Sequence, residues 1–99
     1  MGAEIRKRRP AVVVSSDAVG KLPLKLIAPI TEWKEAYAPN IWHIRIDPHP
    51  VNGLEKVGAV DTLQLRGVDT RRFVSRIGEV SAALMEEIAS AIAAVVEYT

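Results

Sequence analysis

The sequence predicts a mainly β chain with one C-terminal helix, folded as a small, curved antiparallel barrel. Three observations carry that expectation. Short apolar stretches separated by turn residues recur at 11–16, 24–31, 41–47, 57–66 and 73–78. Gly and Pro punctuate the intervals, and Asn52-Gly53 is a strong turn signal. Beyond Ser81 the pattern changes, with Leu84, Ile88, Ile92, Val95 and Val96 recurring at helical spacing. A chain of 99 residues has room for one domain, 1–99, with a core that is small for its surface.

Each element has a local cause. Ala11-Val12-Val13-Val14 is a run of apolar, mostly β-branched residues and reads as a strand buried on both faces. Pro10 fixes its own φ and biases Arg9 toward an extended backbone, so Arg9 leaves from a defined place at the strand mouth. Ser15, Ser16 and Asp17 end this strand, and Gly20 marks the loop. In 24–31, Leu24, Leu26, Ala28 and Ile30 form one alternating apolar face. Pro29 cannot donate to a ladder and implies an edge or a bulge, which would re-aim Thr31. Residues 32–40 are a loop or helical turn in which Trp33 and Tyr37 pack together if helical. They read as an apolar cap over the barrel, or alternatively as a base-stacking platform.

In 41–47, Trp42, Ile44 and Ile46 share one face, and Ile41, His43 and Arg45 the other. His43 is a half-exposed strand residue that would serve in proton transfer if it faces the same cleft as Arg9. A long strand at 57–66 puts Asp61, Leu63 and Leu65 on one face and Thr62, Gln64 and Arg66 on the other. Gly67-Val68-Asp69-Thr70 turns the chain into a last strand, 73–78. Ser81 is a candidate N-cap for a helix over 81–97. The alanines of that helix allow close packing on the barrel, or a share in a dimer contact or partner groove.

Charge and composition narrow the function. The formal net charge is +1, but Arg6, Lys7, Arg8 and Arg9 crowd the beginning, while 79–99 holds four glutamates and no cation. That asymmetry suits a protein that meets an anion at one face. The basic run is either a solvated loop or a phosphate-facing one, since clustered cations supply the sequence-independent part of nucleic-acid affinity. The absence of cysteine excludes disulfides, thiolate catalysis and sulfur-ligated metals, and is compatible with a cytoplasmic location. The charged N-terminus is no secretory signal. The weakly polar run 82–96 is too short to span a bilayer and is broken by Glu86 and Glu87, so no membrane role is expected. His43 and His49, the latter in the stiff Pro48-His49-Pro50 turn, do not make a metal site, and no cofactor is expected.

Glu4-Ile5-Arg6-Lys7-Arg8-Arg9-Pro10-Ala11-Val12-Val13-Val14-Ser15 resembles the hallmark of the MazF/PemK toxins, endoribonucleases of bacterial toxin–antitoxin pairs. Ile27-Ala28-Pro29-Ile30-Thr31 resembles the family's second strand with its threonine. Leu63-Gln64-Leu65-Arg66-Gly67-Val68-Asp69 followed by Arg72-Phe73 resembles its third motif. Ile77-Gly78-Glu79-Val80-Ser81 and the helix after it resemble its C-terminus. The chain departs from the family in two places. Members usually begin with an extra strand, absent before Glu4, whose loss would leave an unpaired edge. Many also carry an aspartate before the glutamine of the third motif; here that position is Leu63, and Asp61 stands in for it.

The resemblance implies the SH3-like barrel of the MazF/PemK and CcdB toxins, usually a homodimer. It implies metal-independent cleavage of single-stranded RNA by attack of a ribose 2′-hydroxyl on the adjacent phosphorus. The products are a 2′,3′-cyclic phosphate and a 5′-hydroxyl. Arg9 suits the phosphoryl oxygens, because its fork of donors matches them and stays protonated. Thr31 would donate to the same phosphate, and Glu4 is the carboxylate nearest the motif for proton transfer, with Asp61 and His43 as further candidates. Arg6 and Lys7 would track flanking phosphates, and Ser15, His43, Asp61, Gln64 and Arg66 complete the expected RNA-binding set. The implied partners are single-stranded RNA and a MazE-like antitoxin. The alternative is a non-catalytic module of the same fold that binds an antitoxin or, like CcdB, a protein target.

Overall fold

Leu24–Glu32 is the longest strand among the described residues, and the sheet is organised on it. It is β2 in a computed structural model that describes residues 8–16, 18 and 20–96. The others are β1 (Ala11–Val13), β3 (His43–Ile46), β4 (Gly58–Asp61) and β5 (Arg66–Asp69), followed by helix α1 (Ala82–Val96). All pairings are antiparallel and the order is β1-β2-β4-β3, with β5 also paired to β2. Among the described residues β1, β3 and β5 each pair on one edge only. The mainly β fold with a C-terminal helix is therefore present as an open sheet rather than a closed ring.

The expected long strand 57–66 is broken in two. Ile30 pairs with Val60 and Ile27 with Arg66, so three steps along β2 answer to six along the partner. The surplus is Thr62–Gln64, wound into a 3-10 turn. Asp61 causes the break, because its Oδ1 accepts the Leu63 amide at 3.1 Å and caps the turn. Thr62 then anchors it, its amide (3.0 Å) and hydroxyl (2.9 Å) both donating to the Trp42 carbonyl. Pro29 explains why β2 tolerates the gap. The Ile30 amide donates to the Pro10 carbonyl at 3.0 Å, so alternate amides of β2 point toward β1. The missing N–H of Pro29 therefore falls on the other edge, opposite the 3-10 turn, where no ladder bond is needed.

Alternation along the strands separates two faces. Val12, Ala28, Ile30, Val60 and Ile46 lie on one face and form the core, closed by Ile88 of α1 with Leu84, Met85 and Ile92 against it. Ser81 caps α1, its Oγ accepting the Leu84 amide at 3.1 Å. The run 11–14 is thus buried on one face only: Val12 is in the core and Val13 is exposed. Leu24 and Leu26 are exposed too, so the apolar face of β2 is buried only in its second half.

Two further expectations change. Residues 66–69 form β5 rather than a turn, and 73–80 follow an irregular path in place of a last strand. That path is held by backbone approach: the Glu79 amide donates to the Val51 carbonyl at 2.8 Å. Gly53 has φ +70° and lies where any Cβ would overlap the Ile77 carbonyl; a Cβ on Gly78 would likewise overlap the carbonyl of Val51. Two glycines let these backbones touch.

Replacing Ile88, fully buried in the core, by alanine is expected to cost about 2–5 kcal/mol, read as a lowered urea midpoint; an unchanged midpoint would mean that α1 is not docked. At the end of β5 the Arg71 guanidinium grips Asp69 through two bonds of 2.8 and 3.1 Å and the Arg71 amide adds a third, holding the Asp69 carboxyl below the usual carboxylate range. A lowered folded pKa means that this contribution to stability is present above the unfolded carboxylate pKa and fades as pH falls through the folded one. Arg71→Ala should move the Asp69 titration upward in an NMR pH series, and no movement would show the fork to be absent in solution.

Candidate functional site

Pro10, directly before β1, has no N–H, so it shares one bond with β2, from the Ile30 amide to the Pro10 carbonyl. Extending that register by one residue sets Arg9 opposite Thr31. On its other edge Thr31 pairs with Ala59, and Ala59 with Arg45. Thr31, Ala59 and Arg45 therefore make one cross-strand row, on the face opposite Ile30 and the core, and Arg9 stands at its continuation beyond the end of β1. His43 and Asp61 pair in the neighbouring row of the same face. Arg66, paired with Ile27, shares that face too, but lies four residues from Thr31 along β2, about 13 Å away.

The His43 side chain is not half-exposed, as its strand position had implied; it is 9% accessible. It lies flat against Tyr37, ring centroids 3.9 Å apart and planes at 12°. Its Nδ1 lies 3.1 Å from Asn40 Nδ2 and its Nε2 3.8 Å from Asp61 Oδ2. Asp61 is buried and committed twice, to His43 and to the cap of the 3-10 turn. This pair supports the sheet from beneath the Trp33–Tyr37 segment, whose rings meet edge to face at 6.1 Å. Residues 35–37 form a short 3-10 turn that brings this segment over β3.

Thr31 carries the anomaly of the site. Its Oγ1 is buried and has no hydrogen-bond partner among the described residues. Buried polar atoms are rarely left so, and each lasting exception asks for a reason. Ser15 spends its hydroxyl on the sheet, accepting the Leu26 amide at 3.2 Å. Gln64 and Arg66 are exposed, as are Arg8, Arg9 and Leu63. Among the described residues neither Arg9 nor Arg66 has a carboxylate within ion-pair distance. Glu4, Arg6 and Lys7 lie outside the described residues. The register thus sets Thr31, His43 and Asp61 on one face, with Arg9 at its continued edge and Arg66 on the same face but about 13 Å from Thr31. Sequence reasoning missed Arg45 and Asn40. Arg45 was legible in the alternation that put it on the face of His43; Asn40 became visible only with the loop fold.

A family profile described as the PemK-like, MazF-like toxin of type II toxin–antitoxin systems matches residues 1–96. A comparison with curated protein sequences gave no match. Among solved structures the chain is similar to the Mycobacterium tuberculosis toxin MazF-mt6, with 24% identity, a TM-score of 0.75, and coverage of 93% of this chain and 89% of that one. It is also similar to a MazE–MazF structure from Deinococcus radiodurans, with 23% identity, a TM-score of 0.67, and coverage of 89% and 84%. At such identities these likenesses establish the fold.

The orphan hydroxyl makes a test independent of any activity. Thr31→Val removes an unpaired buried oxygen and keeps the β-branched shape, so it should leave stability unchanged or raise it by up to about 1 kcal/mol, measured by denaturant titration. A marked loss of stability would show that Oγ1 is bonded in solution.

Proposed function

The chain belongs to the PemK-like, MazF-like toxin family of type II toxin–antitoxin systems, and from that premise we propose that it is a metal-independent endoribonuclease acting on single-stranded RNA. What supports the proposal is the β1–β2 register, Ala11 opposite Pro29, which continued by two residues sets an exposed Arg9 opposite Thr31. In the proposed reaction a ribose 2′-hydroxyl attacks its neighbouring phosphorus and the 5′-oxygen leaves. The ends are a 2′,3′-cyclic phosphate and a 5′-hydroxyl. Negative charge grows on the phosphoryl oxygens, and the Arg9 fork offers them two charge-assisted donors from a fixed backbone position. The Thr31 hydroxyl has its hydrogen-bonding capacity unspent among the described residues; because it is buried, donating to a phosphate held by Arg9 requires the site to open.

Arg9 is a poor base because it holds its proton. His43 and Asp61 face each other beneath Tyr37 and serve as supports in this reading. Proton transfer is assigned to Glu4, and flanking phosphates to Arg6 and Lys7. The need for a 2′-hydroxyl selects RNA over DNA. The same exposed cations would be covered by the acidic segment of a MazE-like antitoxin, a partner suggested by the MazE–MazF structures of D. radiodurans. A homodimer in the cytoplasm completes the proposal; among the described residues no helix is long and apolar enough to cross a membrane. Burial of the Thr31 hydroxyl favours a second reading, a non-catalytic member that binds antitoxin alone.

The test is a cleavage assay on long single-stranded RNA in excess EDTA, with end mapping and circular dichroism on each variant. Wild type should yield cyclic-phosphate ends, and Arg9→Ala should lower the rate by about a hundredfold or more while staying folded. Arg9→Lys should restore little, since a point charge lacks the fork. Cleavage that survives Arg9→Ala would overturn the assignment, and a folded wild type that binds antitoxin but never cuts would establish the second reading.

A further inference from the structure

The row that begins at Arg9 and Thr31 ends at Arg45, and Arg45 is not bare. Its guanidinium lies 5.7 Å from the centre of the Trp33 ring. The Arg45 side chain stays 51% accessible. Trp33 is fixed in turn: its indole N–H donates to Glu35 Oε1 at 3.4 Å, its ring meets Tyr37 edge to face, and its backbone amide donates to the Val57 carbonyl at 3.2 Å. Tyr37 rests on His43, which is held by Asn40 and faces Asp61. A planar cation and an aromatic plane are thus presented at the surface on a support that reaches back into the sheet.

We propose that Arg45 and Trp33 form a nucleobase-stacking subsite beside the proposed scissile phosphate. The inference rests on the endoribonuclease reading and adds to it where the neighbouring base goes. Two arguments select a base over a second phosphate. The charge of Arg45 is already answered by Asp47, whose Oδ1 accepts from Nε at 3.0 Å, and Glu35 stands at the edge of Trp33. The cluster therefore carries little net positive charge to attract an anion. What it offers instead is flat polarizable surface, and single-stranded RNA is held by stacking bases on aromatic and guanidinium planes. Placement agrees: Arg45 is two strands from Thr31 in the same row, about 10 Å away. A strand of RNA whose phosphate lies at Arg9 would pass its adjacent nucleotide over this cluster. Stacking tolerates any base, so the subsite would add affinity with little sequence preference of its own.

The experiment uses the whole chain and a short single-stranded 2′-O-methyl oligonucleotide of mixed sequence, which cannot be cleaved because the nucleophile is blocked. Binding is followed by fluorescence anisotropy, for the intact oligonucleotide and for a series with one abasic residue at successive positions. Trp33→Leu keeps apolar bulk without a ring face, while Trp33→Phe keeps the face. Expected results are a loss of roughly tenfold or more for Trp33→Leu and a small loss for Trp33→Phe. Arg45→Met should give an intermediate loss. In the series, one abasic position should weaken the wild type and leave Trp33→Leu unchanged. Equal losses for the leucine and phenylalanine variants, or a loss that no abasic position reproduces, would make Trp33 a structural cap and overturn the subsite alone. A wild type that binds no oligonucleotide and cuts no RNA would overturn the subsite together with the ribonuclease reading. A wild type that cuts RNA while Trp33→Leu binds like wild type would remove the subsite and leave the ribonuclease standing.

Discussion

Three strands take their register from β2, and β2 can serve all three because of one missing hydrogen. Ile27 pairs with Val13 on one edge and Arg66 on the other, whereas Ile30 pairs with Val60. Between them Pro29 has no amide to offer, and the partner edge asks for none because Thr62–Gln64 leaves the ladder there. The proline and the 3-10 turn are one device. A donor at position 29 would face a gap without a partner, and a continuous strand on the other side would face a proline. Asp61 both caps that excursion and faces His43, its ladder partner in β3, so one residue joins the break to the support beneath the aromatic segment.

The legible part of the sequence was the part governed by period. Alternation identified Ala28 and Ile30, and Ile44 and Ile46, as inward faces, and helical spacing with Ser81 as cap located α1 nearly to its ends. What alternation could not show was an interruption caused by a side chain. Nothing in the apolar pattern of 57–66 announces that the Asp61 carboxylate will outbid the ladder for the Leu63 amide. The failure at 73–78 has a different origin. Phe73, Val74 and Ile77 have strand-like character but stand exposed, and the segment is placed by the meeting of Gly53 and Gly78 backbones with their neighbours. For the candidate site, placing Arg9 opposite Thr31 needs only a continuation of the β1–β2 register. The burial of His43 was not, since it depends on Tyr37 and Asn40 arriving from a loop.

The outer face also holds what a purely stabilising design would discard. A buried hydroxyl with no partner among the described residues and exposed arginines at the end of a strand do not raise stability. Such departures from self-consistency concentrate where a surface is shaped for something other than its own fold. Here they gather on one side of one sheet, opposite the packed layer of Val12, Ala28, Ile30, Val60 and Ile88.

That division has a consequence for how such a chain can diverge. Successive residues of β2 and β3 belong to different tasks: Ile30 and Ile44 pack the interior, while Thr31 and Arg45 look outward. A mutation that alters what the outer face recognises need not disturb the helix-facing layer, and drift in the interior need not reset recognition. Two kinds of selection can act on interleaved positions of one strand with little cross-talk, which lets binding preference wander across a lineage while the scaffold stays in place.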